Sequence, residues 1–322
     1  MVLIAAFSCK QSARPKQDSS TTPVEAVKIT AASFNVDTAY AFVKKQASFG
    51  PRVCNTAEHK KCASWLETTL KRFTKDVVIQ SFKMKAYNGT ELDMKNIIGI
   101  FNPEAKTRIL LCSHWDSRPY ADNDPDPSNH RTPINGVNDG ASGVGILLEA
   151  ARQFSLKAPS VGVDILLLDG EDYGAPQDVK SETEDDWALG SQYWSKNPHK
   201  PAYSARFGIL LDMVGAKGAT FTLEGTSQYF APDIENKVWN IASTIGYSSY
   251  FSPEKTNPIT DDHVYINEIR QVPTIDIIQY DPTTKSGFYK YWHTLQDNLD
   301  NIDKQTLMAV GQTVVTTVYV EK

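Results

Sequence analysis

Residues 167–178, LLDGEDYGAPQD, end an apolar run in three carboxylates within four residues. The run that leads into them, VDILLL, has the composition of a buried strand, so the acids stand at a strand tip. Glu171 and Asp172 are adjacent there, and like charges so close must be paired or desolvated. Two interpretations stay open. The acids belong to a solvated loop, or one carboxylate binds a cation while its neighbour acts as a general acid or base.

Other strand-like segments of the chain also end in histidine or carboxylate residues. These are His114 and Asp116 in SHWDS, Asp139 in GVNDGASG, Asp212 in LLDMVG, Asp261, Asp262 and His263 in ITDDHVY, and His293 in KYWHTLQDN. Each one alone is more often a turn residue, a cap or a packed pair than a ligand. Together they are the ligand types that zinc accepts, and a catalytic zinc site uses three protein ligands and keeps one position open.

The elements that must position these residues alternate from about residue 95 onward. Strand-like runs include NIIGIFNP, RILLCSHWD, GVDILLLD, RFGILLDMVG, GATFTLEG and QVPTIDIIQY, and helical patterns include GASGVGILLEAARQF, DDWALGSQYWSKN, APDIENKVWNIASTIG and DKQTLMAVGQTVVTTVYV. This alternation predicts an α/β fold, a three-layer α/β/α sandwich around a central, mostly parallel mixed sheet. Ligand sites in such folds gather at the carboxyl ends of the strands. Because no repeat or composition break follows residue 30, residues 31–322 are predicted to be a single catalytic domain.

The N-terminus has a different character from the rest of the chain. MVLIAAFSCK is a short apolar run that closes on small residues and Cys9, and the polar segment KQSARPKQDSSTTP follows. This order resembles the end of a bacterial lipoprotein signal, in which the cysteine is lipidated after cleavage. Residues 1–30 are therefore predicted to be a leader and a disordered tether, with Cys9 as a lipid anchor in the periplasm or cell envelope. A leader without function is the alternative.

Composition limits the partners that the chain can have. The formal net charge is −5, which gives no basic footprint for nucleic acid, and no nucleic-acid partner is expected. No run of about 18 apolar residues predicts a transmembrane helix. The four cysteines are too few for a disulfide scaffold. Cys54 and Cys62 either pair or stay free, and Cys112 is predicted to be a buried free thiol. A monomer is expected.

The order of the motifs resembles the zinc aminopeptidase family. The matching motifs are His-x-Asp at 114–116, Asn-Asp-Gly-x-Ser-Gly at 138–143, Gly-Glu-Asp at 170–172, Leu-Asp-Met at 211–213 and Trp-His-Thr-x-x-Asp at 292–297. With Gly50-Pro51-Arg52 at their start, they cover most of the chain. The resemblance implies the α/β/α fold of that family and a zinc-dependent catalytic domain.

Two branches of the family fit, and they differ in the number of zinc ions. Typical aminopeptidases hold two, and the matching ligands are His114, Asp139 as the bridge, Asp172, Asp212 and His293. Glutaminyl cyclases look similar but bind one zinc ion, through residues that match Asp139, Asp172 and His293. The segments APQD at 175–178 and DDH at 261–263, together with Trp292, favour the cyclases. Asp172 is one methylene shorter than the glutamate of that branch.

The cyclase resemblance implies a zinc-dependent glutaminyl-peptide cyclotransferase, whose substrates are peptides or proteins with an N-terminal glutamine. Zinc would polarise the γ-carbonyl, and Glu171 would shuttle a proton from the α-amine to the leaving amide nitrogen. Pyroglutamate and ammonia are the products. Asp212 and Asp262 would form an acidic pair that orients the leaving amide.

Trp292 would then be a wall of the glutamine site. His114 and Asp116 would support the zinc ligands from behind or remain from a second metal site. In the aminopeptidase alternative two zinc ions flank a water, which Glu171 deprotonates before it attacks the first peptide bond.

Overall fold

Continuous apolar runs form the parallel part of a six-stranded sheet in the computed structural model, which describes residues 32–181, 183 and 185–322. The strands are β1 (Val77–Lys85), β2 (Glu91–Phe101), β3 (Arg108–His114), β4 (Gly162–Leu168), β5 (Phe207–Asp212) and β8 (Thr274–Ile278). Their order is β1-β2-β4-β3-β5-β8. Strands β4, β3, β5 and β8 pair in parallel, while β1 and β2 add two antiparallel pairings at one edge. The predicted mixed, mostly parallel sheet is confirmed.

Helices cover both faces of this sheet. One face carries α1 (Val36–Ala47), α2 (Ala57–Leu70), α3 (Ala141–Leu156), α6 (Pro232–Thr244) and α8 (Lys304–Val320), whose buried residues share one core cluster. A smaller cluster on the other face includes Trp194 of α4 (Leu189–Lys196). Strand β3 shows why both clusters are needed, because Ile109 and Leu111 face the first and Leu110 and Cys112 face the second. The α/β/α sandwich is thus confirmed.

The remaining elements lie at the β8 edge of the sheet and were only partly predicted. GATFTLEG yields a three-residue strand, β6 (Phe221–Leu223), which pairs with β7 (Phe251–Lys255) in a separate sheet. Two short helices follow these strands, α5 (Gly225–Phe230) and α7 (Asp262–Tyr265). The segment DDWALG was predicted to be helical, but α4 begins only at Leu189. Ala188 before it is left-handed, with φ +53°, so the preceding residues form a loop.

Three of the four cysteines lie in the described part of the chain. Cys54, Cys62 and Cys112 are all buried, and no disulfide joins them within the described residues, so Cys112 is the buried thiol that was predicted. The predicted leader and tether, with Cys9, lie outside the described residues. Among residues 32–181, 183 and 185–322, no helix combines the length and apolarity that a membrane crossing requires.

A buried ion pair at the amino end of the sheet gives a test of the fold. Arg108 donates to Asp164 at 2.6 and 2.7 Å, and both side chains are buried. We expect Asp164→Ala to lower the free energy of unfolding by about 3–5 kcal/mol, because Arg108 keeps a buried charge without its partner. Urea unfolding would measure this loss.

The control is an exposed ion pair, between Lys71 and Glu67 at 2.6 Å. We expect Lys71→Ala to cost less than about 1 kcal/mol, because water screens that pair. Equal losses in the two variants would contradict the buried pair's role.

Candidate active site

Asp139, Asp172 and His293 meet at the carboxyl ends of the parallel strands, although they come from three distant parts of the chain. The Nε2 atom of His293 lies 3.0 Å from Oδ1 of Asp172 and 3.5 Å from Oδ2 of Asp139. Each residue offers one ligand atom, and the three atoms lie within 4.8 Å of one another. All three side chains are buried, so the structure brings together the three residues that were predicted to bind zinc.

The carboxylate oxygens of this triad lack hydrogen-bond partners. Within the described residues, neither oxygen of Asp172 nor Oδ2 of Asp139 accepts a hydrogen bond, and their short distances to His293 lack hydrogen-bond geometry. Leaving ionised oxygens buried and unpaired is costly. Two carboxylates and one imidazole nitrogen around a common point form a donor set that zinc accepts, with a fourth position left for substrate. The residues present therefore fit a zinc ion.

Asp122 and Arg118 hold His293 from behind. Nδ1 of His293 lies 3.5 Å from Asp122, which accepts two hydrogen bonds from Arg118 at 2.8 and 2.6 Å. Burial opposes ionisation of Asp122, but Arg118 and His293 outweigh it and hold the pKa of Asp122 below its usual value. A carboxylate behind a ligating histidine fixes its ring and leaves Nε2 for the metal. The backbone of His293 has φ +55°, which is rare outside glycine.

The turn that carries Asp139 is fixed through its backbone. Asp297 accepts hydrogen bonds from the amides of Asn138 and Asp139, at 2.8 and 3.0 Å. Gly140 follows with φ +70°, and a Cβ there would lie 2.7 Å from Cε1 of His114. The glycine of the NDG motif is therefore needed both for its backbone angle and for the close approach of the imidazole.

Arg52 joins the two loops that surround this turn. Its guanidinium is fully buried and donates to the carbonyl oxygens of Trp115, Asn135 and Gly136 at 2.8, 2.6 and 2.7 Å. Its own amide donates to Ser117 at 2.8 Å. A planar group with five N–H donors can satisfy several carbonyls at once, which a lysine cannot do. Arg52 was recognised only as part of a motif, and its positioning role follows from these contacts.

Asp116 holds the backbone of the acid pair after β4. It accepts hydrogen bonds from the amides of Glu171 and Asp172, both at 3.2 Å. Asp172 is buried, whereas Glu171 is only partly covered. Burial, and then the charge of Asp172, raise the pKa of Glu171 well above its usual value. A raised pKa suits a carboxyl group that must both accept and donate a proton.

His114, Asp139 and Asp212 form a second cluster beside the first. Nε2 of His114 lies 3.0 Å from Asp139 and 3.2 Å from Asp212, and its Nδ1 lies 3.4 Å from Asp116. Burial disfavours a charge on His114, but these three acids outweigh it and raise the pKa of His114 well above its usual value. The residues predicted for a second metal thus also meet, but here the imidazole hydrogen-bonds with Asp116 and Asp212.

A cavity of about 360 Å³, called the active cavity below, opens above both clusters. Asp261 lines it, and Asp262 does not. Burial, and then the charge of Asp212, raise the pKa of Asp261 to about 7. Asp262 is fully buried, and neither of its carboxylate oxygens has a hydrogen-bond partner among the described residues.

The predicted pairing of Asp212 with Asp262 is therefore corrected to Asp261. Asp261 is the N-cap of α7 and Asp262 is its first helical residue, so their side chains leave in different directions. An aspartate before a helix normally folds back as a cap, and that signal in DDH could have identified Asp261.

Two tryptophans line the active cavity, and only one of them was predicted. Trp292 stacks on His293 with ring centroids 3.8 Å apart, as expected for a wall of the site. Trp187 also lines the cavity, with its ring parallel to that of His293 at 6.0 Å, and the guanidinium of Arg118 lies 4.5 Å from it. Trp187 was missed because its segment was interpreted as the start of α4.

Comparison with known proteins identifies the family of the chain. Residues 96–318 match the profile of peptidase family M28. The chain belongs to peptidase family M28. The match confirms the resemblance to zinc peptidases that the motifs indicated, and the fold of the M28 relatives is the one described above.

Two solved structures resemble nearly the whole described domain. A zinc-dependent exopeptidase from Parabacteroides distasonis is 54% identical with a TM-score of 0.89, and the match covers 90% of this chain and 100% of that one. A glutaminyl cyclase from Bacteroides thetaiotaomicron bound to N-acetylhistamine is 53% identical with a TM-score of 0.89, over 91% and 100% of the two chains.

A curated relative is more distant. The glutaminyl-peptide cyclotransferase of Gloydius blomhoffii is 27% identical over 238 residues, which are 66% of this chain and 61% of that protein. This chain therefore matches less than two thirds of the length of that relative. The bacterial structures match over nearly their full length, and they confirm the resemblance to bacterial glutaminyl cyclases.

The triad gives a test that needs no substrate. We expect His293→Ala to lose bound zinc, because two carboxylates alone hold the ion weakly. His114→Ala is the matched control and should keep its zinc, because His114 belongs to the hydrogen-bonded cluster. Elemental analysis after dialysis against a weak chelator would measure zinc per chain. If His293→Ala kept its zinc and His114→Ala lost it, the proposed position of the ion would be wrong.

Proposed function

We propose that this chain is a glutaminyl-peptide cyclotransferase with one zinc ion, held by Asp139, Asp172 and His293. It converts the N-terminal glutamine of peptides or proteins to pyroglutamate and releases ammonia. The observation that carries the proposal is the set of unpaired, buried carboxylate oxygens around one imidazole, below a cavity with two tryptophans. The glutaminyl cyclase from Bacteroides thetaiotaomicron, 53% identical over nearly the whole domain, supports the choice of reaction.

Glu171 carries the proton transfer in this proposal. A zinc ion bound by the triad supplies Lewis-acid polarisation of the substrate γ-carbonyl. The α-amine and the γ-carbonyl belong to one residue, so the attack is intramolecular and loses little entropy. Glu171 takes one proton from the attacking nitrogen and returns it to the amide nitrogen. The new C–N bond closes the lactam ring, the old one breaks, and ammonia leaves.

The walls of the active cavity suit the side chain of glutamine. Trp187 and Trp292 offer flat apolar faces to its methylene groups, and a cavity of about 360 Å³ is of a size for one amino acid residue. Asp212 and Asp261 line the same cavity and accept hydrogen bonds from the N–H groups of the amide. Burial, and then the charge of Asp212, raise the pKa of Asp261 to about 7, so Asp261 can hold a proton near neutral pH. Asp261 takes the role that the sequence motif had assigned to Asp262.

The difference between the two clusters supports one zinc ion rather than two. Among the described residues of these two clusters, the buried carboxylate oxygens without a hydrogen-bond partner are Oδ2 of Asp139 and both oxygens of Asp172. The nitrogens of His114 instead have hydrogen-bond partners in Asp116 and Asp212, at 3.4 and 3.2 Å. A metal ion at the second cluster would have to replace these hydrogen bonds, whereas His293 contacts Asp172 and Asp139 at the first cluster as an ion pair, without hydrogen bonds.

A dinuclear zinc aminopeptidase is the second candidate, and one observation favours it. His114, Asp139 and Asp212 each place a ligand atom within 4.8 Å of the others, so the residues of a second metal site are retained. The Parabacteroides relative, 54% identical, is described as a zinc-dependent exopeptidase. In this alternative Glu171 takes the proton of a water molecule, which attacks the first peptide bond.

The place of action is proposed from the N-terminus. The apolar run that ends at Cys9 supports a lipid anchor in the bacterial cell envelope, with the polar tether between the anchor and the catalytic domain. In that location the substrates would be exported peptides and proteins whose N-terminal glutamine is exposed.

Two dipeptides separate the candidate functions. We expect Gln-Ala to release ammonia without free alanine, and Leu-Ala to remain intact. Ammonia and free amino acids would be followed separately in one incubation of zinc-loaded protein. Release of leucine from Leu-Ala, without ammonia from Gln-Ala, would replace the proposed reaction with the hydrolytic one.

Substitutions of Glu171 and Asp261 give a sharper test of the assigned roles. We expect Glu171→Gln to keep its zinc but to lose about 10²–10⁴-fold in turnover, because a neutral amide of the same shape cannot move the proton. Asp261→Asn should also lower turnover with zinc retained. Ammonia release and zinc content would be measured on the same preparations.

The matched control for this pair of variants is Asp262→Asn. It changes a buried aspartate next to Asp261 that does not line the active cavity, so turnover should stay close to that of the wild type. A large loss in Asp262→Asn together with normal turnover in Asp261→Asn would restore the pairing that the motif first indicated.

A further inference from the structure

Asp169 is the first of the three carboxylates in the LLDGED segment, and it is the one to which the proposed reaction gives no role. It is fully buried, and its oxygens accept from Nε2 of His59 at 2.9 and 3.0 Å. Further donors are the amide of Lys95 at 2.6 Å and the thiol of Cys54 at 3.5 Å. The amide of Asp169 donates to Asn96 at 3.0 Å. This carboxylate is saturated with protein donors, so it is an anchor rather than a vacant ligand.

His59 connects this anchor to the neighbouring strand end. Its ring stacks on Trp115 with centroids 4.4 Å apart and planes 21° from parallel. Trp115 stands between His114, the last residue of β3, and Asp116, which accepts hydrogen bonds from the amides of Glu171 and Asp172. One imidazole in the first turn of α2 therefore contacts the ends of both β3 and β4.

The turn that follows Asp169 has little freedom left. Gly170 has φ +71°, and a Cβ on it would lie 2.0 Å from Cε of Met94 in β2. The amides of Glu171 and Asp172 are held by Asp116, as described above. Asp169 thus fixes the start of the turn while Asp116 fixes its end, and Glu171 projects from between them.

We propose that His59 and Asp169 are positioning residues for the acid pair, which act by locking the ends of β3 and β4 together. The proposal rests on the function proposed above, because it concerns how Glu171 is aimed at the substrate and how Asp172 is placed at the zinc. A displacement of about 1 Å in a catalytic group costs about 10²-fold in rate, so a buried hydrogen-bonded support of this kind has a kinetic effect.

The start of β4 offers a matched control for this pair. Asp164 is also fully buried, is paired with Arg108, and has Nε2 of His199 at 3.8 Å. It lies at the opposite end of the same strand from the active cavity. A substitution there removes a comparable buried carboxylate without touching the turn that carries Glu171.

The test compares Asp169→Asn, His59→Phe and His59→Gln with Asp164→Asn. For each variant kcat and KM for Gln-Ala, the affinity for zinc in competition with a chelating dye, and urea stability would be measured. We expect Asp169→Asn and His59→Phe to lose about 10–100-fold in kcat with much smaller changes in KM. His59→Gln, whose amide can donate to Asp169 from a similar position, should recover most of the loss.

Asp164→Asn should lose stability and keep its kcat and zinc affinity. If Asp169→Asn is only as impaired as Asp164→Asn, or if His59→Gln is no better than His59→Phe, the positioning role is overturned. If Asp169→Asn does not fold, the two His59 variants decide alone. Absence of ammonia release by the wild type would instead reject the proposed function, and the zinc affinities would then still report whether His59 and Asp169 place Asp172.

Discussion

Mutual repulsion among carboxylates at one buried end of the sheet is the constraint on which the rest of the site depends. Five of them line the active cavity, Asp139, Glu171, Asp172, Asp212 and Asp261. Such a cluster folds only if cations, shared protons or donated hydrogen bonds offset the charge. His293 and His114 each lie against a part of this cluster, and the proposed zinc ion would add positive charge beside His293. Burial, and then the charge of Asp212, raise the pKa of Asp261 to about 7, which favours a proton there.

The fold supplies the supports that this arrangement requires. Four parallel strands end at the same edge, so side chains distant in the sequence become neighbours. The loops between them are then held by buried groups that bind backbone rather than substrate. Arg52 and Asp297 fix the turn of Asp139, while Asp116 and Asp169 fix the turn of Glu171. The three acids of the LLDGED segment have different surroundings, and we propose a separate role for each: Asp169 in positioning, Glu171 in proton transfer and Asp172 in zinc binding.

The sequence predicted the strands and the residues of the triad, but not the exact helix starts or the contacts between distant side chains. The apolar runs predicted the parallel strands, because a strand that is buried on both faces is apolar at every position and so stands out in the sequence. The motif order predicted which residues meet at the triad. It led to Asp262 rather than Asp261, because the order of the motifs carries no information on where α7 begins. Trp187 was missed because the left-handed Ala188 delays α4, and contacts such as that of His59 with Asp169 have no local pattern.

The central claim is that one zinc ion occupies the triad and that the second cluster holds none. Anomalous scattering at the zinc absorption edge, from crystals of the zinc-loaded protein, tests it most directly. The account predicts one peak about 2.0–2.2 Å from ligand atoms of Asp139, Asp172 and His293. A second peak of similar height between His114 and Asp212, about 3.5–4 Å from the first, would contradict it and indicate a dinuclear hydrolase.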